Sequence, residues 1–139
     1  MDQRLNIITL GVEDVPRASA FYERLGWNVA FTDGDIVMFQ AGPMIVSLWS
    51  RSKLADDSGV AATDGAWGGF TLGYAVGGPD EVDAICEHAA RAGATMTRKP
   101  VEKGFGYSGV FADPDGHTWE IAWVKALDRH PDGTVSLPS

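Results

Sequence analysis

The chain repeats one order of elements, and this repeat limits what it can fold into more than any other feature. Leu5 to Val12 is β-branched and apolar and reads as a strand. Glu13-Asp14-Val15-Pro16 then opens a helix: Asp14 is a natural N-cap, and Pro16 falls in the first turn, where a missing N–H is no loss. Ala18, Phe21, Tyr22 and Leu25 recur at helical spacing, and Gly26 stops the run. Trp27 to Thr32, Ile36 to Ala41 and Met44 to Ser50 read as three strands, with Asp33-Gly34-Asp35 and Gly42-Pro43 as the turns between them. The same order resumes with a strand over Gly69 to Val76. Gly77-Gly78-Pro79 leads into a helix whose buried stripe is Val82, Ile85, Cys86, Ala89 and Ala92, and Gly93 ends it. Thr95 to Val101, Tyr107 to Ala112 and His117 to Val124 are three more strands, the last two joined by an Asp113-Pro114-Asp115-Gly116 turn.

The expected architecture is therefore α+β, with two βαβββ modules at 4–50 and 69–124 inside a single domain of 139 residues. Residues 51–68 are dominated by Ser, Asp, Ala and Gly and lack periodicity, so they are expected to be a long connection carrying the isolated Trp67. Residues 125–139 read as a polar tail, ordered only if Val135 and Leu137 find a surface to pack on.

A net charge of −8, with the basic residues scattered, argues against nucleic acid or an anionic membrane as partner. No apolar run approaches the ~18–20 residues that cross a bilayer, and MDQRLNII lacks the basic and apolar regions of a signal peptide. The single Cys86 cannot form an intramolecular disulfide, which suits a reducing compartment. A cytoplasmic protein whose partners are small molecules or other proteins is expected.

GVEDVPRASAFYERLGW and, after the connection, FADPDGHTWEIAWV resemble the vicinal oxygen chelate superfamily, which includes glyoxalase I, bleomycin-resistance proteins, fosfomycin-resistance enzymes and extradiol dioxygenases. The resemblance runs over roughly residues 4 to 124. It implies paired modules forming a curved mixed sheet around a concave pocket, in enzymes a divalent metal on the concave surface, and a homodimer. The family's metal-ligand positions fall on Ile7, Ser47, Thr71 and Glu120. Only Glu120 is a good ligand: Ile7 cannot coordinate, and neutral hydroxyls bind borderline metals weakly. One carboxylate does not hold a catalytic ion where about three protein ligands are usual. His117 does not rescue the site, since strand neighbours at odd separation point to opposite faces. The expectation is a site without metal or other cofactor.

Strand alternation sets Thr118, Glu120 and Ala122 on one face and Trp119, Ile121 and Trp123 on the other, which suits a covering helix. Glu120 then faces the pocket, where burial would disfavour its charge and raise its pKa. Two readings stand: a general base or acid, or an anchor for a cationic ligand, and an inherited glutamate hydrogen-bonded to Ser47 or Thr71. Trp49, Trp67, Phe105 and Tyr107 are the aromatics expected to line or cover the pocket, an apolar cavity with few polar groups. Gly104-Phe105-Gly106-Tyr107-Ser108-Gly109 matches GxGxxG, but a strand follows it where a dinucleotide site needs a helix. Asp113 and Asp115 lack the rest of a calcium loop and read as turn residues. No histidine faces an obvious nucleophile, and Cys86 reads as a small core residue. The function expected is a glyoxalase/bleomycin-resistance-like protein that binds an aromatic or cationic small molecule. The alternative is a lyase, isomerase or dioxygenase-type enzyme using Glu120 as base or as one metal ligand.

Overall fold

The computed structural model describes every residue except 2, 4, 63–66, 69 and 139. The expected module starts at 4 and 69, part of the connection and the last residue of the tail thus lie outside the described residues. The chain divides into two units, Met1–Ala66 and Trp67–Ser139.

The first unit runs β1 (Ile7–Val12), α1 (Val15–Arg24), β2 (Val29–Asp33), β3 (Ile36–Ala41), β4 (Met44–Ser50) and α2 (Arg51–Ser58). Asp14 caps α1 by accepting a hydrogen bond from the Arg17 amide at 2.9 Å. The sheet order is β1-β4-β3-β2, with β1 parallel to β4 and the other pairs antiparallel. Leu10, Val12, Phe39, Val46 and Leu48 are buried together with Phe21 and Tyr22 of α1, which packs across β3 and β4. Tyr22, Trp27 and Phe39 close this core with ring centroids 5.3–5.8 Å apart. Each such buried apolar side chain stabilises the module by about 1.5–3 kcal/mol.

Residues 51–58, expected to be part of a structureless connection, form α2 instead. Only Ala55 of this helix is buried, so no apolar stripe announces it. Gly59 ends it in left-handed backbone (φ 71°). Gly11 lets it approach β1, because a Cβ there would lie 3.2 Å from the Arg51 Cα.

The second unit repeats the plan as β5 (Leu72–Ala75), α3 (Pro79–Ala92), β6 (Thr95–Lys103), β7 (Gly106–Ala112) and β8 (Thr118–Val124), in the order β5-β8-β7-β6. Pro79 opens α3 and Gly93 closes it at φ 113°, as their positions in the sequence predict. α3 packs on β6, β7 and β8 through Val82, Cys86 and Ala89, against Phe111, Trp119 and Ile121. The Phe111 and Trp119 rings stack with centroids 6.4 Å apart. Each module closes its own four-stranded sheet, so the α+β class and the two βαβββ modules are as expected.

The 125–139 segment is more than a tail. It forms a hairpin of β9 (Asp128–Arg129) and β10 (Val135–Ser136), turned at Gly133, with Val135 lining a cavity of about 110 Å³ beside β5 and β8. Of the two residues on which the order of this segment was expected to depend, Val135 meets that cavity and Leu137 remains 81% exposed. Among the described residues no helix is long and apolar enough to cross a membrane.

Candidate functional site

The two faces of the second sheet are chemically distinct. Gly109 marks the α3 side: a Cβ there would meet the Cys86 Sγ and the Pro100 Cγ at 2.9 Å. Its strand partner Ile121, with Trp119 and Phe111, shares that side. One residue along, Ser108, Val110, Thr118 and Glu120 point the other way. Glu120 thus stands on the face away from the helix, as strand alternation predicts.

The register aligns four residues in one row across that face: Gly73 of β5, Glu120 of β8, Val110 of β7 and Arg98 of β6. Arg98 reaches over the row. Its Nη1 donates to the Ser108 carbonyl at 2.7 Å, and its Nη2 donates to the Ser108 Oγ at 2.6 Å and lies 3.6 Å from the Glu120 Oε1. Ser108, itself fully buried, donates its hydroxyl to the same Oε1 at 2.9 Å. A bulge in β6 between Arg98 and Val101, spanning Pro100 with its missing N–H, accounts for the reach. The guanidinium supplies the donor that the interrupted ladder does not. The result is a held carboxylate, one oxygen engaged and the side chain 36% exposed.

On the opposite flank of Glu120 the sheet has no side chain. A Cβ built on Gly73 meets nothing within 4 Å, so open space adjoins the carboxylate there. Beside this notch, Thr71 and Thr118 share a hydrogen bond of 2.7 Å, and the Trp67 indole donates to the Thr118 Oγ1 at 3.3 Å. Trp67 is 63% exposed and hangs beside the Glu120 face, although nothing in the chain pattern marked Thr118 as its holder.

The sequence-predicted residues of this unit therefore divide. Thr71, Trp67 and Glu120 come to one face. Tyr107 does not: it faces α3 and donates its hydroxyl to Asp83 at 2.8 Å, because it sits an odd step from Ser108. That bond to a carboxylate raises the Tyr107 pKa. Phe105 lies in the β6–β7 turn, 42% exposed, where its carbonyl accepts from the Lys125 amide. Thr71, one suggested partner of Glu120, is bonded to Thr118 instead. Sequence reasoning missed Arg98, Ser108 and Gly73. A lone glycine inside a strand was the available signal for Gly73; Arg98 depends on a bulge that no local pattern reveals.

Two of the GxGxxG glycines serve packing. Gly106 and Gly109 lie in β7, where a side chain would strike the Trp123 carbonyl or Cys86 and Pro100, respectively. Asp113 organises its turn, accepting at 2.9 Å from the amides of both Asp115 and His117.

In the first unit, Ile7, Ser47 and Trp49 share the face away from α1, since Thr9 pairs with Ser47 and Gly11 with Trp49. Ser47 is buried and Ile7 is 50% exposed. The Trp49 indole donates to Asp35, which is bridged to Lys53 at 2.7 Å. Ser47 and Glu120 are equivalent: each lies on the closing strand, and its partner on the opening strand, Thr9 or Gly73, is two residues beyond Ile7 or Thr71.

Two βαβββ modules of this order, each with its closing strand parallel to the opening one, define a recognisable class of small α+β proteins. Residues 4–121 match the Glyoxalase/Bleomycin resistance protein/Dioxygenase superfamily, and the chain belongs to it. The chain is similar to a glyoxalase-related enzyme from Fulvimarina pelagi, at 32% identity and TM-score 0.90 over 99% of both chains. It shares its fold with a glyoxalase/bleomycin resistance protein/dioxygenase family enzyme from Burkholderia phytofirmans PsJN, at 22% identity and TM-score 0.74, over 86% of this chain and 97% of that one. It shares it also with lactoylglutathione lyase from Agrobacterium tumefaciens, at 20% identity and TM-score 0.67, over 87% and 94%. A comparison with curated proteins finds no match.

The family implies a divalent metal, and the donors of the second unit do not fit one. Glu120 Oε1 already accepts from Ser108, a guanidinium stands 3.6 Å from it, and the Thr71 hydroxyl is paired. Among the described residues no group of three or more His, Cys, Asp or Glu could hold a metal ion.

Proposed function

We propose that the protein binds a small molecule on the Glu120 face of its second module, without an intervening metal, in the manner of a bleomycin-resistance-type binder. The observation that carries this reading is an immobilised carboxylate beside an empty floor. Ser108 and Arg98 hold Oε1, while Gly73 leaves open space on the other flank. A ligand with an apolar, preferably aromatic, body lies over Gly73 against Trp67 and donates an N–H or O–H to the free carboxylate oxygen. Such a site pairs apolar contact with one fixed polar group.

A thermal-shift screen of aromatic amines, alcohols and amides tests the reading. Hits should stabilise the wild type and lose most of their shift in Glu120→Gln; hits indifferent to that change would place binding elsewhere. Elemental analysis of protein purified without chelators bears on the metal, and stoichiometric nickel, zinc, manganese or iron would contradict the proposal.

Catalysis is the second reading, supported by the 32% identical relative being described as an enzyme. Glu120 is then the proton acceptor, and Glu120→Gln removes turnover while leaving the melting temperature in place. A homodimer rests on family likeness alone, and sedimentation velocity measures it.

A further inference from the structure

We infer that Arg98 sets the charge preference of the Glu120 site, so that the site takes a neutral hydrogen-bond donor and rejects a cation. The inference rests on the binding reading above and specifies the class of ligand.

A lone carboxylate in a half-exposed notch attracts cations. This one has a permanent counter-charge: the Arg98 guanidinium cannot be deprotonated in a protein, and its Nη2 lies 3.6 Å from the Glu120 Oε1. Nor can the guanidinium easily swing away, since it is fixed through Nη1 and Nη2 to the Ser108 carbonyl and hydroxyl at 2.7 and 2.6 Å. Both side chains are about one-third exposed, which weakens solvent screening without removing it. Among the described residues Glu120 is bonded only to Ser108 and Arg98, so the pair forms a locally neutral unit with one acceptor oxygen to spare. An ammonium ligand would meet the attraction of Glu120 and the repulsion of Arg98 together, after losing its own hydration. A neutral alcohol or amide pays no such desolvation and still donates to a charged acceptor. The same guanidinium explains why the donor set suits a divalent ion poorly.

The position in the row makes the test clean. Arg98 and Gly73 flank Glu120 from opposite sides, so the charge can be removed without filling the notch. The probes are benzyl alcohol and benzylammonium, which match in size and differ in charge. Binding to the full chain is followed by ¹⁵N–¹H spectra at the Gly73 amide. The wild type should bind benzyl alcohol the more tightly. Arg98→Gln should reverse the order, with benzylammonium gaining at least about tenfold. Arg98→Lys, which keeps the charge, should keep the wild-type order.

Tighter binding of benzylammonium to the wild type, or a ratio unchanged by Arg98→Gln, would overturn the inference while leaving ligand binding at Glu120 standing. If Arg98→Gln does not fold, the wild-type ratio alone decides. If neither probe moves Gly73, or both bind Glu120→Gln as well as the wild type, the binding reading itself fails and the inference with it.

Discussion

The two modules share an order of elements and a strand order, yet the faces away from their helices differ in chemistry. In the first, Ser47 is flanked by Thr9 on one strand and Met38 on the other, while the Asp35 carboxylate is occupied by Lys53 and Trp49 at the surface. In the second, the equivalent row reads Gly73, Glu120, Val110 and Arg98. The replacement of Thr by Gly opens a floor, and the replacement of Ser by Glu puts a charged acceptor beside it. The scaffold is repeated; the carboxylate beside open space stands in one copy.

The comparison breaks first at the cores. If both helix faces hold their modules in the same way, Phe21→Ala and Phe111→Ala should each cost about 3–5 kcal/mol in urea unfolding. A loss confined to one of them would mean that only one module carries the stability. Gly109→Ala is a smaller test of the α3 face. The added methyl meets Cys86 and Pro100 at 2.9 Å and should cost about 1–3 kcal/mol; a neutral result would mean that α3 moves aside freely.

Gly73→Val sharpens the functional half of the contrast. Gly73 has no positive-φ requirement and no neighbour to strike, so the melting temperature should hold while ligand affinity falls at least about tenfold. Loss of folding in place of binding would reject the open floor.

The smallest effects are in the titrations. Burial, reinforced by the Asp83 charge, raises the Cys86 thiol above its ordinary range. Less thiolate is therefore present at a given pH, and alkylation by iodoacetamide should be slower than for an exposed cysteine at pH 8. On the first module, the hydrogen bond from Lys53 holds the Asp35 carboxyl below its usual value. Its contribution is present above the unfolded carboxylate pKa of about 3.9 and fades as pH falls through the lower folded value. Asp35→Asn should thus change the melting temperature slightly at neutral pH, less at high salt, and not at all in strong acid.

Much of this was legible in the chain. Asp14, Pro79, Gly93 and the DPDG turn are local devices, and each acts where it stands in the sequence. Period-two alternation set Glu120 on the face away from α3, and the family resemblance picked out Ile7, Ser47, Thr71 and Glu120, which the two registers place in equivalent pairs. What escaped depends on contacts between distant segments. α2 has no apolar stripe because only Ala55 is buried. Tyr107 is aromatic and adjacent to the site in sequence, yet one step of pleat turns it to Asp83. Arg98 reaches Glu120 only through a bulge in β6, and two bulges put its register beyond a count from either end of the strand.

The proposed ligand lies in the second module, between Gly73 and Glu120. The most direct measurement is a ¹⁵N–¹H titration of the full chain with the strongest thermal-shift hit. Saturable shifts should be largest at the amides of Gly73, Glu120 and Thr118 and should vanish in Gly73→Val. Saturable binding that leaves Gly73 and Glu120 unmoved would place the ligand elsewhere and reject this site.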